Sequence, residues 1–409
     1  ALSDGGFVIV YQSPDASGVG QFGQIFDSSG SKVGSEFQIN TNTSGDQNNA
    51  SVSAFDAGGF VATWTSADSN GWGVISQIFD SSGNKQGGEF QVNSYTSRSQ
   101  WRSSVATLAN GTFVVTWESD GQDGDGDGIF GQMYNNDGVK KNSEFQINSG
   151  TSLDQKEPTV KRLENDLFVV VWNTHNSSTG EDSVMGQIFD SEGQHRFSEF
   201  QINTTTSSGF AVPQVTAMSD GGFMTVWRQL SFQGGNSDGS SYGIYGQRFD
   251  STGSRLGSEI LLNSSTSGGQ LNPSVAQLNN EQLISVWSGP GDGDSNGVIK
   301  QRFNVSGMSN GTNPEIKLTS VNASASAINR LESILQALNS RRASLGALSN
   351  RIDHIVANNT NISLNIAQSI SRIEDADFAA ETTNLAKQQI LQQAAVAMLD
   401  QANASKQNI

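Results

Sequence analysis

Apolar and polar positions alternate with turn residues in a pattern that repeats through the first three quarters of the chain. GGFVIVY (Gly5 to Tyr11), GGFVATW (Gly58 to Trp64), GTFVVTW (Gly111 to Trp117), DLFVVVW (Asp166 to Trp172), GGFMTVW (Gly221 to Trp227) and EQLISVW (Glu281 to Trp287) open six units with a period of about 54 residues. Each opening block is a nearly continuous apolar run, as expected of a strand covered on both faces. The next two segments alternate: Phe22, Gln24 and Phe26 share one side, and Phe37 and Ile39 sit between Glu36, Gln38 and Asn40. A fourth segment, such as PSVAQL (Pro273 to Leu278), completes the unit. The DSSG, NNDG and DSTG elements at Asp27 to Gly30, Asn135 to Gly138 and Asp250 to Gly253 are turn formers that join neighbouring antiparallel strands. Four short strands per unit, repeated six times, predict a β-propeller over residues 1–318, with six or seven blades; a β-sandwich array and a stacked solenoid are the alternatives. Leu2 corresponds to the closing Leu of PSVAQL, so the chain opens inside a unit. That start suggests a piece of a longer protein, and a closed ring would need a strand from upstream.

From Asn322 the pattern changes. Ile328, Leu331, Leu335, Leu338, Leu345, Ile352, Val356, Ile366, Ile370 and Ile373 step by threes, fours and sevens, which predicts a coiled-coil helix over residues 319–370. Arg342 and Ser349 fall on this seam, where polar groups cost stability but fix register. The NNTN run at Asn358 to Asn361 is made of poor helix formers and interrupts it. Residues 371–409 read as a second helix without Gly or Pro, carrying Ile373, Phe378, Leu385, Ile390, Leu391, Met398 and Leu399. Its polar side is mostly Gln and Ala rather than Lys and Glu, which suits packing between identical neighbours because few charges need desolvating.

The tail resembles flagellin, the subunit of the bacterial flagellar filament. The resemblance is carried by Ser371-Arg372-Ile373-Glu374-Asp375-Ala376-Asp377-Phe378, Glu381, Leu385, Gln389-Ile390-Leu391-Gln392-Gln393-Ala394, Leu399 and Gln401-Ala402-Asn403. Upstream it extends through Ser340 to Arg351, and it covers roughly the last quarter of the chain, Ser320 to Ile409. It implies an exported structural subunit in which Leu331, Leu335, Leu338, Leu345, Ile352, Ile373, Phe378, Leu385, Ile390, Leu391, Met398 and Leu399 pack against other copies. It also implies a partner that the sequence does not contain, the N-terminal helical half that flagellins pair with this tail. The propeller would then stand where flagellins vary, facing outward. The repeats resemble those of very large secreted bacterial proteins, which keeps open a second reading: an adhesin-like module that recognises a glycan or sheath and is anchored by its helices.

Composition narrows the chemistry. A net charge of −17, with no Lys/Arg cluster to offset it, argues against nucleic acid or an anionic membrane as partner, since both need a basic patch. The chain has no Cys, hence no disulfide, thiolate nucleophile or Cys-ligated zinc, and no apolar run approaches the ~18 residues that span a bilayer. His175, His195 and His354 are scattered, and no H-E-x-x-H helix or nucleophile elbow occurs, so no enzyme is expected. Asp123, Asp125 and Asp127, alternating with Gly, form a candidate Ca²⁺ loop, matched by Asp292 and Asp294 in the sixth unit; an acidic hydrated hairpin tip is the plainer expectation. Trp64, Trp117, Trp172, Trp227 and Trp287 end the same strand of their units and are expected in the core. Trp72 and Trp101 fall outside that register and are the candidates for an exposed contact.

Overall fold

A computed structural model describes residues 1–304, apart from 69, 165, 205, 210, 231–240, 265–267, 279–281 and 291–296, together with residues 380–402. The chain divides into two units, Ala1–Asn313 and Pro314–Ile409. The first is a six-bladed β-propeller of antiparallel sheets. Blade one holds β1 (Phe7–Pro14), β2 (Val19–Phe26) and β3 (Lys32–Gln38). Blade two holds β4 (Gln47–Ala54), β5 (Phe60–Asp68), β6 (Gly71–Phe79) and β7 (Lys85–Gln91). Blade three follows with β8 (Gln100–Thr107), β9 (Phe113–Asp120), β10 (Asp127–Tyr134) and β11 (Lys140–Gln146). In blade four, β12 (Asp154–Arg162), β13 (Leu167–Asn176), β14 (Glu181–Asp190) and β15 (Phe200–Gln201) lie in sequence order, and β16 (Ser207–Ser208) pairs with β14. Blade five is β17 (Gln214–Ala217), β18 (Phe223–Leu230), β19 (Tyr242–Phe249) and β20 (Arg255–Leu261). Blade six is β21 (Leu271–Leu278), β22 (Gln282–Gly289) and β23 (Gly297–Asn304).

The opening apolar runs are β5, β9, β13 and β18, buried on both faces because each blade packs between two others. One core cluster joins Val61, Val74, Ile78 and Val92 of blade two to Val105, Val115, Trp117 and Tyr134 of blade three, and equivalent clusters follow around the ring. Trp64, Trp117, Trp172, Trp227 and Trp287 are all 3% exposed or less, which places them in that core.

Polar residues of the repeat have equally specific tasks. The Asn that ends each SEFQIN-type segment accepts a backbone N–H of its own blade: Asn40 from Gln21, Asn93 from Val74, Asn148 from Ile129, Asn203 from Val184 and Asn263 from Ile244. Asn40, Asn93, Asn148 and Asn263 also donate to Gln47, Gln100, Gln155 and Gln270, each seven residues on, where the next blade begins. The Glu of the same segment reaches the preceding blade. Glu89, Glu144, Glu199 and Glu259 accept the backbone N–H of Thr41, Ser94, Ser149 and Thr204. The turn glycines Gly83, Gly138, Gly193 and Gly253 have φ near +80° and lie against Phe37, Phe90, Phe145 and Phe200 of the blade before. A side chain there would meet both the backbone strain and the aromatic ring.

At the two ends of the ring the burial pattern differs from that of the inner blades. Val298 of β23 is 82% exposed, whereas Val74, Ile129, Val184 and Ile244 at the same place in blades two to five are fully buried. On blade one, Ile9 is exposed where Ala62, Val115 and Val170 are buried, and Glu36 receives the Tyr11 hydroxyl rather than a neighbouring blade's N–H. In the second unit, residues 380–402 form α1, and every side chain on it is exposed. Leu331, Leu335, Leu338, Leu345, Ile352, Ile373 and Phe378, with the coiled-coil seam expected over residues 319–370, lie outside the described residues.

Candidate binding site on one face of the propeller

Antiparallel order puts the starts of β4, β8 and β12 and the hairpin ends of β5/β6 and β9/β10 on one face. The first strands of blades two, three, four and six are bulged just there, with register shifts at Asn48/Ser51, Trp101/Ser104, Lys156/Thr159 and Leu271/Ser274. The bulge residues Asn49, Arg102, Glu157 and Asn272 take positive φ between 51° and 56°. Bulges of this kind re-aim side chains. The same strands enclose a central cavity of about 560 Å³ lined by small polar residues, among them Ser51, Ser53, Ser104, Thr159 and Gln214. At its opposite end Arg162 of blade four reaches Asp56 of blade two at 2.7 Å.

Beside the mouth lies a compact ionic cluster. Glu118, at the end of β9, is completely buried; it accepts hydrogen bonds from the Trp101 indole and, at 3.2 Å, from the Glu157 backbone N–H. Arg102 approaches Glu118 at 3.2 Å and Glu157 at 3.3 Å. Burial pushes the Glu118 carboxyl up to about 7, against the pull of Arg102. Burial also works against the Arg102 charge, but the two glutamates outweigh it and hold its pKa above the ordinary value.

Next to this cluster, between blades two and three, a cleft of about 180 Å³ is lined by Asn48, Asn49, Thr65, Trp72, Trp101 and Arg102. The structure thus brings together the two tryptophans that stood outside the core register, both half-buried. Thr65 is 2% exposed, and its hydroxyl has no hydrogen-bond partner. At the corresponding junction of blades three and four the places of Trp72 and Trp101 are held by Asp127 and Lys156, which form an ion pair at 3.2 Å. Glu118, Arg102 and Thr65 were not singled out from the sequence. The available signal was a Glu directly after Trp117, where other units carry Thr65, Asn173, Arg228 or Ser288.

Asp123, Asp125 and Asp127 do not converge. Asp123 accepts the Asp125 backbone N–H at 3.2 Å and the Asn148 amide at 3.3 Å, while Asp127 turns to Lys156. Among the described residues no group of three or more acidic, His or Cys side chains is arranged to hold a metal ion. Asp292 and Asp294 lie outside the described residues. Of the residues expected to pack against other copies, Leu385, Ile390, Leu391, Met398 and Leu399 are on α1 and between 58% and 75% exposed.

Comparison with known proteins separates the two units. Residues 328–409 match the family model of the bacterial flagellin C-terminal helical region. Flagellin B of Vibrio anguillarum is 46% identical over 91 residues, 22% of this chain and 24% of its own. Flagellin A of Vibrio cholerae is 42% identical over 116 residues, 25% of this chain and 31% of its own. The chain thus spans 24% to 31% of the length of these curated relatives. Among solved structures, an ulvan lyase of a new polysaccharide lyase family aligns with a TM-score of 0.50 at 7% identity, over 74% of this chain and 77% of that one. The α-L-arabinofuranosidase of Fusarium graminearum aligns at 0.48 and 14% identity, over 75% and 92%. At such identity the likeness of the lyase concerns the fold alone. The chain therefore joins a six-bladed β-propeller to a segment, residues 328–409, of the bacterial flagellin C-terminal type.

Proposed function

We propose that this chain is a structural subunit of a bacterial flagellar filament, exported from the cell, with its helical segment packed among other copies and its propeller displayed outward. The observation that carries this reading is α1: a helix at residues 380–402 whose large apolar side chains, Leu385, Ile390, Leu391, Val396, Met398 and Leu399, are all exposed in the single chain. Leaving such side chains in water forgoes roughly 1.5–3 kcal/mol each. Repeated copies of the same helix, together with helices of the kind that flagellins supply from an N-terminal half, would cover them. In this reading residues 1–318 are the displayed domain, and residues 319–370 and 371–409 form the assembling helices. Among the described residues no helix is long and apolar enough to cross a membrane.

The test is immunogold microscopy of intact filaments with antibodies raised against the propeller. Label along the filament is the expected result. Secretion of the protein into the medium with unlabelled filaments would overturn the proposal.

A further inference from the structure

We propose that the cleft between blades two and three is a subsite for one neutral sugar ring, which makes the propeller a carbohydrate-binding module whether or not it is carried on a filament. Trp72 and Trp101 both line the cleft, and indole rings offer flat apolar surface that suits the C–H face of a pyranose. Its polar lining is mostly neutral: Asn48, Asn49 and Thr65. Asn48 uses its carbonyl oxygen to accept from Gln12 at 3.1 Å, so its amide nitrogen is available as a donor. The Thr65 hydroxyl is buried and unpartnered, a group that ordinarily finds a hydrogen bond and that an occupant's hydroxyl would satisfy.

Charge selects the class of occupant. Among the described residues lining the cleft, Arg102 is the one cation, and it is already paired with Glu118 and Glu157, so an anion finds no uncommitted positive group among them. The cleft, about 180 Å³, lies below the ~300–1,000 Å³ of sites for drug-sized ligands, which fits a single ring rather than a long segment. The pair is also local to this junction. Where blades three and four meet, Asp127 and Lys156 neutralise one another in the same two places.

Saturation-transfer NMR and tryptophan fluorescence of the full 409-residue chain would test this, with methyl α-mannoside, methyl β-glucoside, methyl β-galactoside, N-acetylglucosamine and fucose as probes. At least one sugar is expected to bind with a Kd of roughly 1 mM. The fluorescence change should come from Trp72 and Trp101, because the five blade tryptophans are sealed in the core. Trp72→Ala should abolish binding and Trp72→Phe restore part of it. Thr65→Val, which keeps the shape of the side chain, should weaken binding about tenfold, the scale of one hydrogen bond. Each variant's melting temperature would be compared with the parent's, so that unfolding is not mistaken for lost recognition. The proposal fails if none of the five sugars gives a transfer signal, if binding survives Trp72→Ala, or if a correctly folded Thr65→Val variant binds like the parent.

Discussion

Glu118 shows how one residue can couple the propeller to pH. Burial raises its pKa from 4.5 to about 7, so between those values the folded protein keeps a proton that the unfolded chain has released. The contribution of Glu118 to stability is therefore full below about 4.5 and declines as pH rises towards 7, by something on the order of 3 kcal/mol. Glu118→Gln should remove that slope: thermal melts of parent and variant between pH 4.5 and 7 are expected to diverge in pH dependence, and parallel curves would show that Glu118 is already ionised at low pH. Asp127 makes the opposite point about the acidic loop. Its carboxylate is committed to Lys156, and Asp123 to Asn148 and the loop backbone, so millimolar calcium is expected to leave the melting temperature unchanged. A rise on adding calcium would mean that the loop rearranges into a cage.

At the scale of the element, each blade depends on two kinds of contact that differ in cost. Trp172→Ala deletes a completely buried aromatic and should destabilise the propeller by about 3–5 kcal/mol in denaturant melts. Asn148→Ala removes far less volume, yet it strands the Ile129 N–H and the side-chain Oε1 of Gln155 inside the protein. Each unsatisfied buried group costs about 1–3 kcal/mol, so this small change should come within reach of the tryptophan deletion. A loss below 0.5 kcal/mol would show that water replaces the amide. The strands, turns and buried tryptophans were readable in advance because two-fold alternation and turn glycines are local signals, repeated six times. The interblade ties were hidden, since nothing local says that the Glu of one SEF segment will accept an N–H from the segment a full repeat earlier. The cleft was half legible. Trp72 and Trp101 stood out as breaks in the repeat, but Thr65 and Glu118 acquire their meaning only from the blade placed beside them.

For the whole molecule, the contrast is between a propeller that buries its apolar residues and an α1 that exposes them. Its stripe is regular: Leu391 and Met398 stand seven residues apart and Leu385 and Leu399 fourteen, so each pair returns to nearly the same side of the helix. An isolated helix of this length is marginal in water even with good propensity, and in proteins most helical stability comes from packing an apolar face. The helical content of the second unit should therefore rise with assembly, whereas the propeller's melting transition should not change. Circular dichroism at 222 nm, followed through polymerisation with flagellin added as partner, measures the first quantity, and thermal melts of the strand signal measure the second. Leu391→Asp places a charge in the middle of the stripe, where a buried partner surface would have to desolvate it. This substitution should block entry into filaments while the propeller melts as in the parent, because Leu391 belongs to the second unit. If Leu391→Asp enters filaments as readily as the parent, the stripe is not the assembling surface; if it lowers the propeller's melting temperature, the two units depend on one another in folding.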